Sequence, residues 1–439
     1  MGGCVAAGSG SPRSGPPGFS RALDEQPNVL IFVTDDQRRR GTLKVLPKTM
    51  ETFREGGTEY VNGVVTTPLC CPSRASIFSG KYAHNHGVKN NNGAPLLDES
   101  ETIQAQLHAH GYRTALVGKY LNYAVESPSY FDRWAMMIDP PHYYDGEFNL
   151  DGRRATVSTY STDFLEHKAL EFLDDFERSD DRAPWFMQVA TWAPHIRPVP
   201  EPEYATAPVD RWRRDPANSE RDRSDKPRWV RSVELERAKA AEVRRGQLRT
   251  LMSVDDLVAQ VFERLRDMGE ARNTLAFFLS DNGWSWYEHG LNRKRFPYDD
   301  SVRVPFFVRW PGRITAGAVE RKVVANIDIA PTVYEAAGIE ASYEVDGKSL
   351  FSSDRSSILI EYFPDPDVPF VPAWRQLWSP RRSYIRYPGT GTREFYGPDD
   401  PWQIANVYRD GIPGNRPRNE SRMDRRLARA ARCAGAGCP

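Results

Sequence analysis

Two adjacent cysteines, Cys70 and Cys71, stand beside Pro72 and are followed by Arg74 in a small-residue segment that ends at Gly80. A cysteine at the start of a helix lies at the positive end of the helix dipole, and a nearby arginine adds further positive charge. Both effects favour an anionic nucleophile or an anionic substrate. The alternative interpretation is a buried pair of cysteines that packs as two small hydrophobic side chains.

Polar side chains also follow apolar runs that have the composition of buried parallel strands. These runs cover 27–33, 112–117, 185–191 and 274–279. Because the carboxyl ends of parallel strands share one edge of a sheet, we expect the residues after them to lie together. Taken singly, an Asp-Asp pair or an Asp-Asn-Gly sequence is also typical of a cap or a turn. The residues concerned are Asp35, Asp36, Lys119, His195, Asp281 and Asn282.

The carboxylates and the carboxamide of this set are hard oxygen ligands. They suit Ca²⁺ or Mg²⁺ and are poor ligands for zinc or copper. A bound cation would also relieve the mutual repulsion of the carboxylates. The strand ends therefore predict a site for a hard divalent cation.

The spacing of apolar residues predicts helices between these strands. Their expected ranges are 102–110, 163–176, 233–268 (one helix or two joined ones) and 327–337, with a further strand at 302–308. This alternation of helix and strand favours an α/β fold in which helices cover a large parallel or mixed sheet.

The composition changes after about residue 350, where proline and aromatic residues cluster. Short β-like segments at 358–362, 383–387 and 394–396 predict a small antiparallel sheet, and residues 422–432 predict a terminal helix. We therefore expect three parts. They are a flexible tether over 1–26, a catalytic domain over 27–350 and a small C-terminal subdomain over 351–439.

The chain has 439 residues, with 59 Lys and Arg against 59 Asp and Glu. This balance provides no overall field for nucleic acid or an acidic membrane surface, so nucleic acid is not expected as a partner. The mixed charges of 208–232 predict a solvated surface excursion rather than a polyanion-binding patch. Since no apolar run is long enough to cross a bilayer, no transmembrane segment is expected.

The remaining cysteines indicate the cellular compartment in which the protein is expected. Small residues before Cys4 and the Gly/Ser/Pro-rich tract after it resemble the end of a bacterial lipoprotein signal and its tether. If the true start codon lies upstream, Cys4 would carry a lipid anchor; the alternative is a disordered tail. Cys433 and Cys438 enclose a short Ala/Gly loop, which makes a local disulfide plausible. These features favour an oxidising, extracytoplasmic location, either secreted or lipid-anchored.

The cysteine segment resembles the signature of the type I sulfatases, in which a cysteine is oxidised to formylglycine. The resemblance implies that Cys70 is the modified residue and that a formylglycine-generating enzyme acts on it during maturation. It also implies the alkaline-phosphatase-like α/β fold. The matching residues are Cys70, Pro72, Ser73, Arg74, Phe78, Ser79 and Gly80, with further matches at 118–122, 193–195, 294–305 and 329–332.

The resemblance also assigns roles. One calcium ion is implied, bound by Asp35, Asp36, Asp281, Asn282 and the modified Cys70. In the family's mechanism one hydroxyl of the aldehyde hydrate attacks sulfur, and the second hydroxyl later expels sulfate. The positive charges needed around a sulfate monoester would come from Arg74, Lys119 and Lys294. His195 would donate a proton to the leaving oxygen.

One position departs from the family pattern. Many sulfatases have a histidine two residues after the lysine of the Gly-Lys segment, where this chain has Leu121. The base of the second step is therefore open. The auxiliary candidates are Asn122, His84, His86 and, more remotely, His289. For His84 and His86 the alternative is a structural, hydrogen-bonded role.

The same segments look most like the subgroup of N-acetylglucosamine-6-sulfatases and extracellular heparan sulfate endosulfatases. The resemblance thus implies hydrolysis of sulfate esters on a sulfated carbohydrate. Two alternatives stay open: a phosphonate or phosphodiester hydrolase of the same fold, and a non-catalytic protein that binds sulfated glycans. The complete set of catalytic residues and metal ligands argues against the second.

Overall fold

The computed structural model of the chain describes residues 1–2, 26–178, 183–233, 236–408, 417 and 419–439. Cys4 and nearly all of the predicted tether lie outside the described residues, so the tether and the lipid anchor stay predictions. The boundary at residue 350 also stays a prediction. None of the described helices combines the length and the apolar character needed to cross a membrane.

The described strands fall into three sheets, of ten, two and four strands. In chain order they are β1 Asn28–Thr34, β2 Gly57–Val64, β3 Arg113–Gly118, β4 Arg133–Met137, β5 Gly146–Leu150, β6 Arg153–Val157, β7 Trp185–Ala190, β8 Thr274–Ser280, β9 Ser285–Trp286, β10 Asn292–Arg293, β11 Phe306–Arg309, β12 Ala318–Ala325, β13 Ile358–Tyr362, β14 Trp374–Ser379, β15 Arg382–Arg386 and β16 Arg393–Tyr396.

The large sheet has the order β12-β2-β11-β8-β1-β7-β3-β4-β5-β6. Strand β1 lies near its centre and pairs in parallel with β7 and β8, and β3 continues the parallel set beside β7. Only β5 and β11 run against the other strands of this sheet. The prediction of a mixed, mostly parallel sheet is therefore confirmed.

Helices cover both faces of this sheet. In the described residues they are α1 Pro47–Glu55, α2 Cys70–Ser79, α3 Ala83–His86, α4 Ile103–Ala109, α5 Ser161–Arg178, α6 Pro216–Ser219, α7 Arg228–Arg231, α8 Arg237–Asp267, α9 Asp299–Val302, α10 Ile329–Ala337 and α11 Glu420–Ala430.

The apolar run of β1 supplies both cores, because successive side chains of a strand point to opposite faces. Val29, Ile31 and Val33 join one core with residues of α2, α4 and α10. Leu30 and Phe32 join the other core with residues of α1, α5 and α8. A strand buried on both faces needs a continuous apolar sequence, which is the pattern that predicted it.

One predicted strand, 302–308, is partly wrong. The strand β11 begins at Phe306, whereas Val302 ends the one-turn helix α9. Val304 instead donates its backbone N–H to the carbonyl of Gly63. The sequence predicts a single strand over 302–308 because the buried loop residues before Phe306 have the same composition as the strand that follows.

The C-terminal part forms the predicted antiparallel sheet, in the order β13-β14-β15-β16, beside the terminal helix α11. Sequence analysis missed β14. This sheet shares a core cluster with earlier residues, because Leu69 and Tyr298 pack in the same cluster as Trp374 and Tyr384. The predicted local disulfide joins Cys433 to Cys438.

Candidate active site

Four neighbouring parallel strands, β8, β1, β7 and β3, end at the edge of the large sheet that carries the site. Asp35 and Asp36 follow β1, Asp281 follows β8, and Lys119 follows β3 on the far side of β7. His195 comes five residues after β7 ends. The four acidic and basic side chains at the strand ends are each at most 1% exposed. The predicted convergence of strand ends is therefore present in the fold.

The helix α2 begins at Cys70, directly after the extended residue Leu69, and all ten of its residues are buried. It ends at Gly80, whose φ of +68° is a left-handed conformation that glycine adopts without strain. A Cβ atom at Gly80 would also lie 3.0 Å from the side chain of Ala330. The segment thus places Cys70, which is 1% exposed, at the positive end of a fully enclosed helix.

The sulfur of Cys70 lies between a base and an acid. The Nζ atom of Lys294 is 2.7 Å from Cys70 Sγ, and Asp35 Oδ1 is 3.5 Å from the same atom. Lys294 also donates to Asp36 Oδ1, and Lys119 donates to Asp35 Oδ2, each at 2.5 Å. The cysteine predicted as the modified residue therefore contacts Lys294 and Asp35, and these two in turn bind Asp36 and Lys119.

Arg74 connects the helix to the strand ends. Its Nε donates to Asp281 Oδ2 at 2.9 Å, and its Nη1 donates to the carbonyl of Lys119 at 2.8 Å. Its Nη2 lies 3.5 Å from Asp35 Oδ2. A guanidinium is planar and always charged, so these contacts fix the relative positions of α2, β3 and β8.

Burial and charge move the pKa values of this site in different directions. Burial raises the pKa of Asp35, but the nearby cations, Lys119 first among them, outweigh it and hold that pKa far below its usual range. Burial raises the pKa of Asp36 and of Asp281. Burial, reinforced by Asp35, raises the pKa of the Cys70 thiol to about 12. An unmodified Cys70 would therefore stay protonated, and a thiol is a far weaker nucleophile than a thiolate.

The donor set fits a hard cation. Asp36 Oδ2 and Asn282 Oδ1 are buried oxygens that accept no hydrogen bond from the described residues. One candidate ligand atom each from Asp35, Asp36, Cys70 and His195 lie within 4.8 Å of one another. A buried oxygen acceptor without a donor is costly, and coordination to a cation would satisfy it.

Asp281 stands beside this group rather than in it. Its Oδ1 accepts the backbone N–H of Asp36 at 3.2 Å, and its Oδ2 accepts from Arg74. Asn282 donates its amide N–H to Asp36 Oδ1 at 2.6 Å, which leaves its carbonyl oxygen as the available ligand. Both predicted ligands thus contact Asp36, the residue around which the donor set gathers.

His195 presents one ring nitrogen to the acids. Its Nδ1 lies 2.5 Å from the carbonyl of Ile196, and since a carbonyl only accepts, Nδ1 carries the proton. Its Nε2 lies 3.5 Å from Asp36 Oδ2, and the ring packs on Trp192 at 3.8 Å between centroids. Burial lowers the pKa of His195 to about 3. Its side chain is still 19% exposed, more than any other residue assigned to the site.

The loop that carries Lys294 is fixed by residues that sequence analysis missed. The backbone N–H of Arg295 donates to the carbonyl of Pro68, and the indole N–H of Trp374 donates to the carbonyl of Arg295 at 2.9 Å. The guanidinium of Arg295 pairs with Asp365 at 2.8 Å. Asp365 and Trp374 lie 70 and 79 residues from Arg295, and no local pattern identifies them.

The auxiliary residues do not join the cluster. The two ring nitrogens of His84 contact Glu361 Oε1 at 2.7 Å and the carbonyl of Cys433 at 3.0 Å. Those of His86 contact Ser76 Oγ at 3.0 Å and the backbone N–H of Val88 at 3.1 Å. All four contacts are structural, which is the alternative considered from the sequence for both residues.

Leu121, Asn122 and His289, the other residues considered for the position where the family has a histidine, have different surroundings. Leu121 is 4% exposed and packs in the core beneath α2. Asn122 is buried, and its Oδ1 accepts no hydrogen bond from the described residues. His289 contacts Glu220 Oε2 at 2.7 Å and stacks near Tyr298. The base for sulfate release stays open.

His86 yields a prediction about acid stability. Burial lowers its pKa to about 3, whereas an unfolded histidine has a pKa of about 6.5. Below pH 6.5 the unfolded chain binds a proton that the folded chain does not, so stability is lost as the pH falls from about 6.5 towards 3. His86→Gln is expected to reduce that slope by about 1.4 kcal/mol per pH unit.

The free energy of unfolding, measured by denaturant titration at pH 7, 6 and 5, tests this. His142→Gln, at an exposed position, is the matched control and should keep the wild-type slope. An unchanged slope in His86→Gln would contradict the assignment of His86 as a neutral structural residue.

Residues 27–339 match the family model described as Sulfatase, and residues 287–414 match the model described as the C-terminal part of N-sulphoglucosamine sulphohydrolase. The extracellular sulfatase SULF-1 homolog of Drosophila melanogaster is 32% identical over 356 residues, which cover 76% of this chain and 32% of that relative. The human N-acetylglucosamine-6-sulfatase is 33% identical over 378 residues, covering 77% of this chain and 67% of the relative.

The chain thus spans about a third of the first relative's length and about two thirds of the second's. Among solved structures, BT4656 in complex with its substrate D-glucosamine-2-N,6-O-disulfate has a TM-score of 0.81 at 22% identity, covering 92% of this chain and 96% of that chain. At that identity the likeness concerns the fold, and it agrees with the predicted alkaline-phosphatase-like class. With one family model matching well over half of its length, the chain belongs to the sulfatase family.

Proposed function

We propose that this chain hydrolyses sulfate monoesters on a sulfated sugar, with a formylglycine derived from Cys70 and a bound calcium ion. The observation that carries the proposal is the position of Cys70 Sγ, 2.7 Å from Lys294 Nζ and 3.5 Å from Asp35 Oδ1 at the head of a buried helix. A site that encloses a nucleophile between cations and metal ligands suits an anionic electrophile.

The calcium ion would be held by oxygens of Asp35, Asp36, Asp281 and Asn282, and the orphaned oxygens of Asp36 and Asn282 support this assignment. A formylglycine hydrate would supply one hydroxyl to attack sulfur and a second for release of sulfate, and calcium would supply positive charge beside them. The thiol of Cys70 lacks that second hydroxyl, so the cysteine itself does not suffice.

The bases of the site offset the charge of the substrate. Lys119 and Lys294 are both within hydrogen-bond reach of the carboxylates that flank Cys70, so each lies near the position of a bound sulfate group. Arg74 is bound to Asp281 and to the carbonyl of Lys119, and its role is to position these groups. Such preorganised charge stabilises a transition state without further reorganisation.

His195 would protonate the leaving oxygen. In the substrate-free site its Nε2 carries no proton, because Nδ1 donates to Ile196 and burial favours the neutral ring. A bound sulfate monoester adds negative charge beside the ring and raises the pKa of His195. The substrate thereby promotes the protonated form that can act as the general acid.

The sugar substrate rests on the relatives, two of which carry the names extracellular sulfatase and N-acetylglucosamine-6-sulfatase. For the same reason we place the protein outside the cytoplasm, secreted or lipid-anchored. A formylglycine-generating enzyme would be its partner during maturation. A protein that only bound sulfated glycans would need neither the enclosed Cys70 nor a proton donor at the leaving oxygen.

The test uses enzyme in which conversion of Cys70 has been verified by mass spectrometry. We expect turnover of sulfated mono- and disaccharides, with kcat/KM higher than for phosphate or phosphonate esters of matched leaving groups. Higher proficiency on the phosphorus esters would favour the alternative hydrolase. Binding of sulfated glycans without any turnover would favour the non-catalytic alternative.

A further inference from the structure

A cavity of about 440 Å³ lies beside the site and contains none of the residues assigned to it. It opens between the loop after β1, the segment 210–215 and the helix α8. Arg38 and Trp286 line two of its walls. Arg38 is two residues from Asp36 and Trp286 is four residues from Asn282, so both walls begin at the edge of the sheet that carries the predicted metal ligands. Two residues span at most about 7 Å of chain.

A direct hydrogen-bonded link joins this cavity to the site. The indole N–H of Trp286 donates to Gln247 Oε1 at 2.6 Å, and Gln247 Nε2 donates to the carbonyl of Pro194 at 3.2 Å. Pro194 precedes His195 in the chain. The cavity and the proposed proton donor are therefore separated by one side chain.

The charge that lines the cavity is positive. Its lining has six basic residues and three acidic ones. All three acidic residues already have basic partners: Arg38 with Glu288, Arg40 with Asp215, and Lys44 with Asp210. The remaining arginines, which form no ion pair with a described carboxylate, are Arg211, Arg213 and Arg244.

Arg244 is the most unusual of these arginines, because it is only 6% exposed. Its Nη1 donates to the backbone carbonyl of Asp210 at 3.0 Å, and its guanidinium lies over the ring of Trp286. Burial lowers its pKa, the nearby Asp210 offsets part of that effect, and Arg38 adds to it. A buried guanidinium that forms no ion pair with a carboxylate is unfavourable, and an anion in the cavity would relieve that cost.

The lining also suits a sugar. Trp212 is partly exposed and packs against the cluster of Leu248, Trp284 and Trp286 beside the arginines. An indole ring offers a flat apolar surface, while Arg211 and Arg213 are exposed at the same opening. The segment 208–232 was expected from its mixed charges to be solvated. Because Asp210 and Asp215 have basic partners, Arg211 and Arg213 of this segment are available for an anion instead.

We propose that this cavity is a second anion subsite, which holds a sulfate or carboxylate group on another sugar of the chain that carries the reacting sulfate ester. Arg244 makes the central contact, and Arg211 and Arg213 extend it to the opening. Two anchoring points would favour charged oligosaccharides over single sugars. This inference deepens the proposed function and rests on it.

The experiment compares a monosaccharide sulfate with oligosaccharides whose second sugar carries a sulfate, a carboxylate or no charge. The readout is the ratio of kcat/KM for each oligosaccharide to that for the monosaccharide. Arg244→Gln is expected to lower this ratio about tenfold for the charged oligosaccharides, since a charge-assisted hydrogen bond is lost. The neutral oligosaccharide should show no such loss.

Arg245→Gln is the matched control, since Arg245 is exposed on the same helix and does not line the cavity. Its ratio should equal that of the wild type. The double variant Arg211→Gln/Arg213→Gln, at exposed positions where folding is not at risk, should lower the ratio in the same direction. An unchanged ratio in both cavity variants, an equal loss in Arg245→Gln or an equal loss with the neutral oligosaccharide would each overturn the subsite.

A binding measurement distinguishes failure of the subsite from failure of the proposed function. The affinity of the sulfated oligosaccharide, measured by calorimetry in a Cys70→Ala background, should also fall about tenfold in Arg244→Gln. If wild-type enzyme turns over no sulfate ester, the proposed function fails, and this measurement still reports on the cavity. If turnover occurs and neither the ratio nor the affinity changes, the subsite alone fails.

Discussion

Cys70→Ala is expected to lower turnover of sulfate esters by about 10⁴-fold or more, to the level of background hydrolysis. Alanine has no atom that can attack sulfur, and neither Lys294 nor Asp35, which flank the sulfur, can replace it as an oxygen nucleophile. The substitution removes one buried atom, so we expect a loss of only about 1 kcal/mol in stability. The measurement is kcat/KM on an aryl sulfate, together with a thermal unfolding curve.

Cys71→Ala is the matched control for this experiment. Cys71 loses the same buried sulfur from the next residue of the same helix, but its side chain packs in the core rather than in the site. Turnover in Cys71→Ala should stay within a few-fold of wild type. Cys70→Ser is a second comparison, since one hydroxyl permits attack but not release and should yield at most a single turnover. Sustained turnover in Cys70→Ala would refute the proposed mechanism.

The second large effect concerns the metal. Asp281→Ala is expected to lower both bound calcium and turnover, because it removes a carboxylate that contacts Asp36 and Arg74. Calcium per chain, measured by atomic emission after gel filtration, checks this directly. Since the buried Arg74 would lose the nearer of its two carboxylate partners, the variant also risks a loss of about 3–5 kcal/mol in stability.

Asn282→Ala avoids that risk, because it removes a neutral side chain whose carbonyl oxygen has no other partner in the described residues. It should lower calcium content with a smaller effect on stability. Asp255→Ala is the control: this buried carboxylate accepts the backbone N–H of Thr49 at 2.7 Å and is not one of the residues assigned to the site. It should cost stability without changing calcium content. Wild-type calcium in both Asp281→Ala and Asn282→Ala would refute the ligand assignment.

The convergence of the site was predictable because it follows from strand direction. Each of Asp35, Lys119 and Asp281 comes directly after an apolar run, and parallel strands place their carboxyl ends together whatever their order in the sheet. These features depend on local composition and on one general rule of topology.

The features that escaped sequence analysis depend on partners far apart in the chain. From the sequence, His84 is a candidate reactive residue. In the structure its Nδ1 contacts Glu361, which lies 277 positions later in the chain. Strand β14 is mostly buried but contains Arg375 and Gln376, which break an apolar pattern. The side-chain amide of the buried Gln376 donates hydrogen bonds to the carbonyl of Pro297 and the hydroxyl of Ser383. The sequence around Gln376 does not indicate these partners.

The complete burial of α2 has a consequence for the order of events in the life of the protein. Cys70 is 1% exposed, and Leu69 beside it packs in a cluster that includes residues from the last eighty positions of the chain. Under the proposed function, an oxidising enzyme must reach Cys70 before these late segments close over it. Protein that folds first would be trapped as the thiol form. The fraction of active enzyme in a preparation would then depend on whether modification preceded folding in the cell. It would not depend on how the purified protein is handled afterwards.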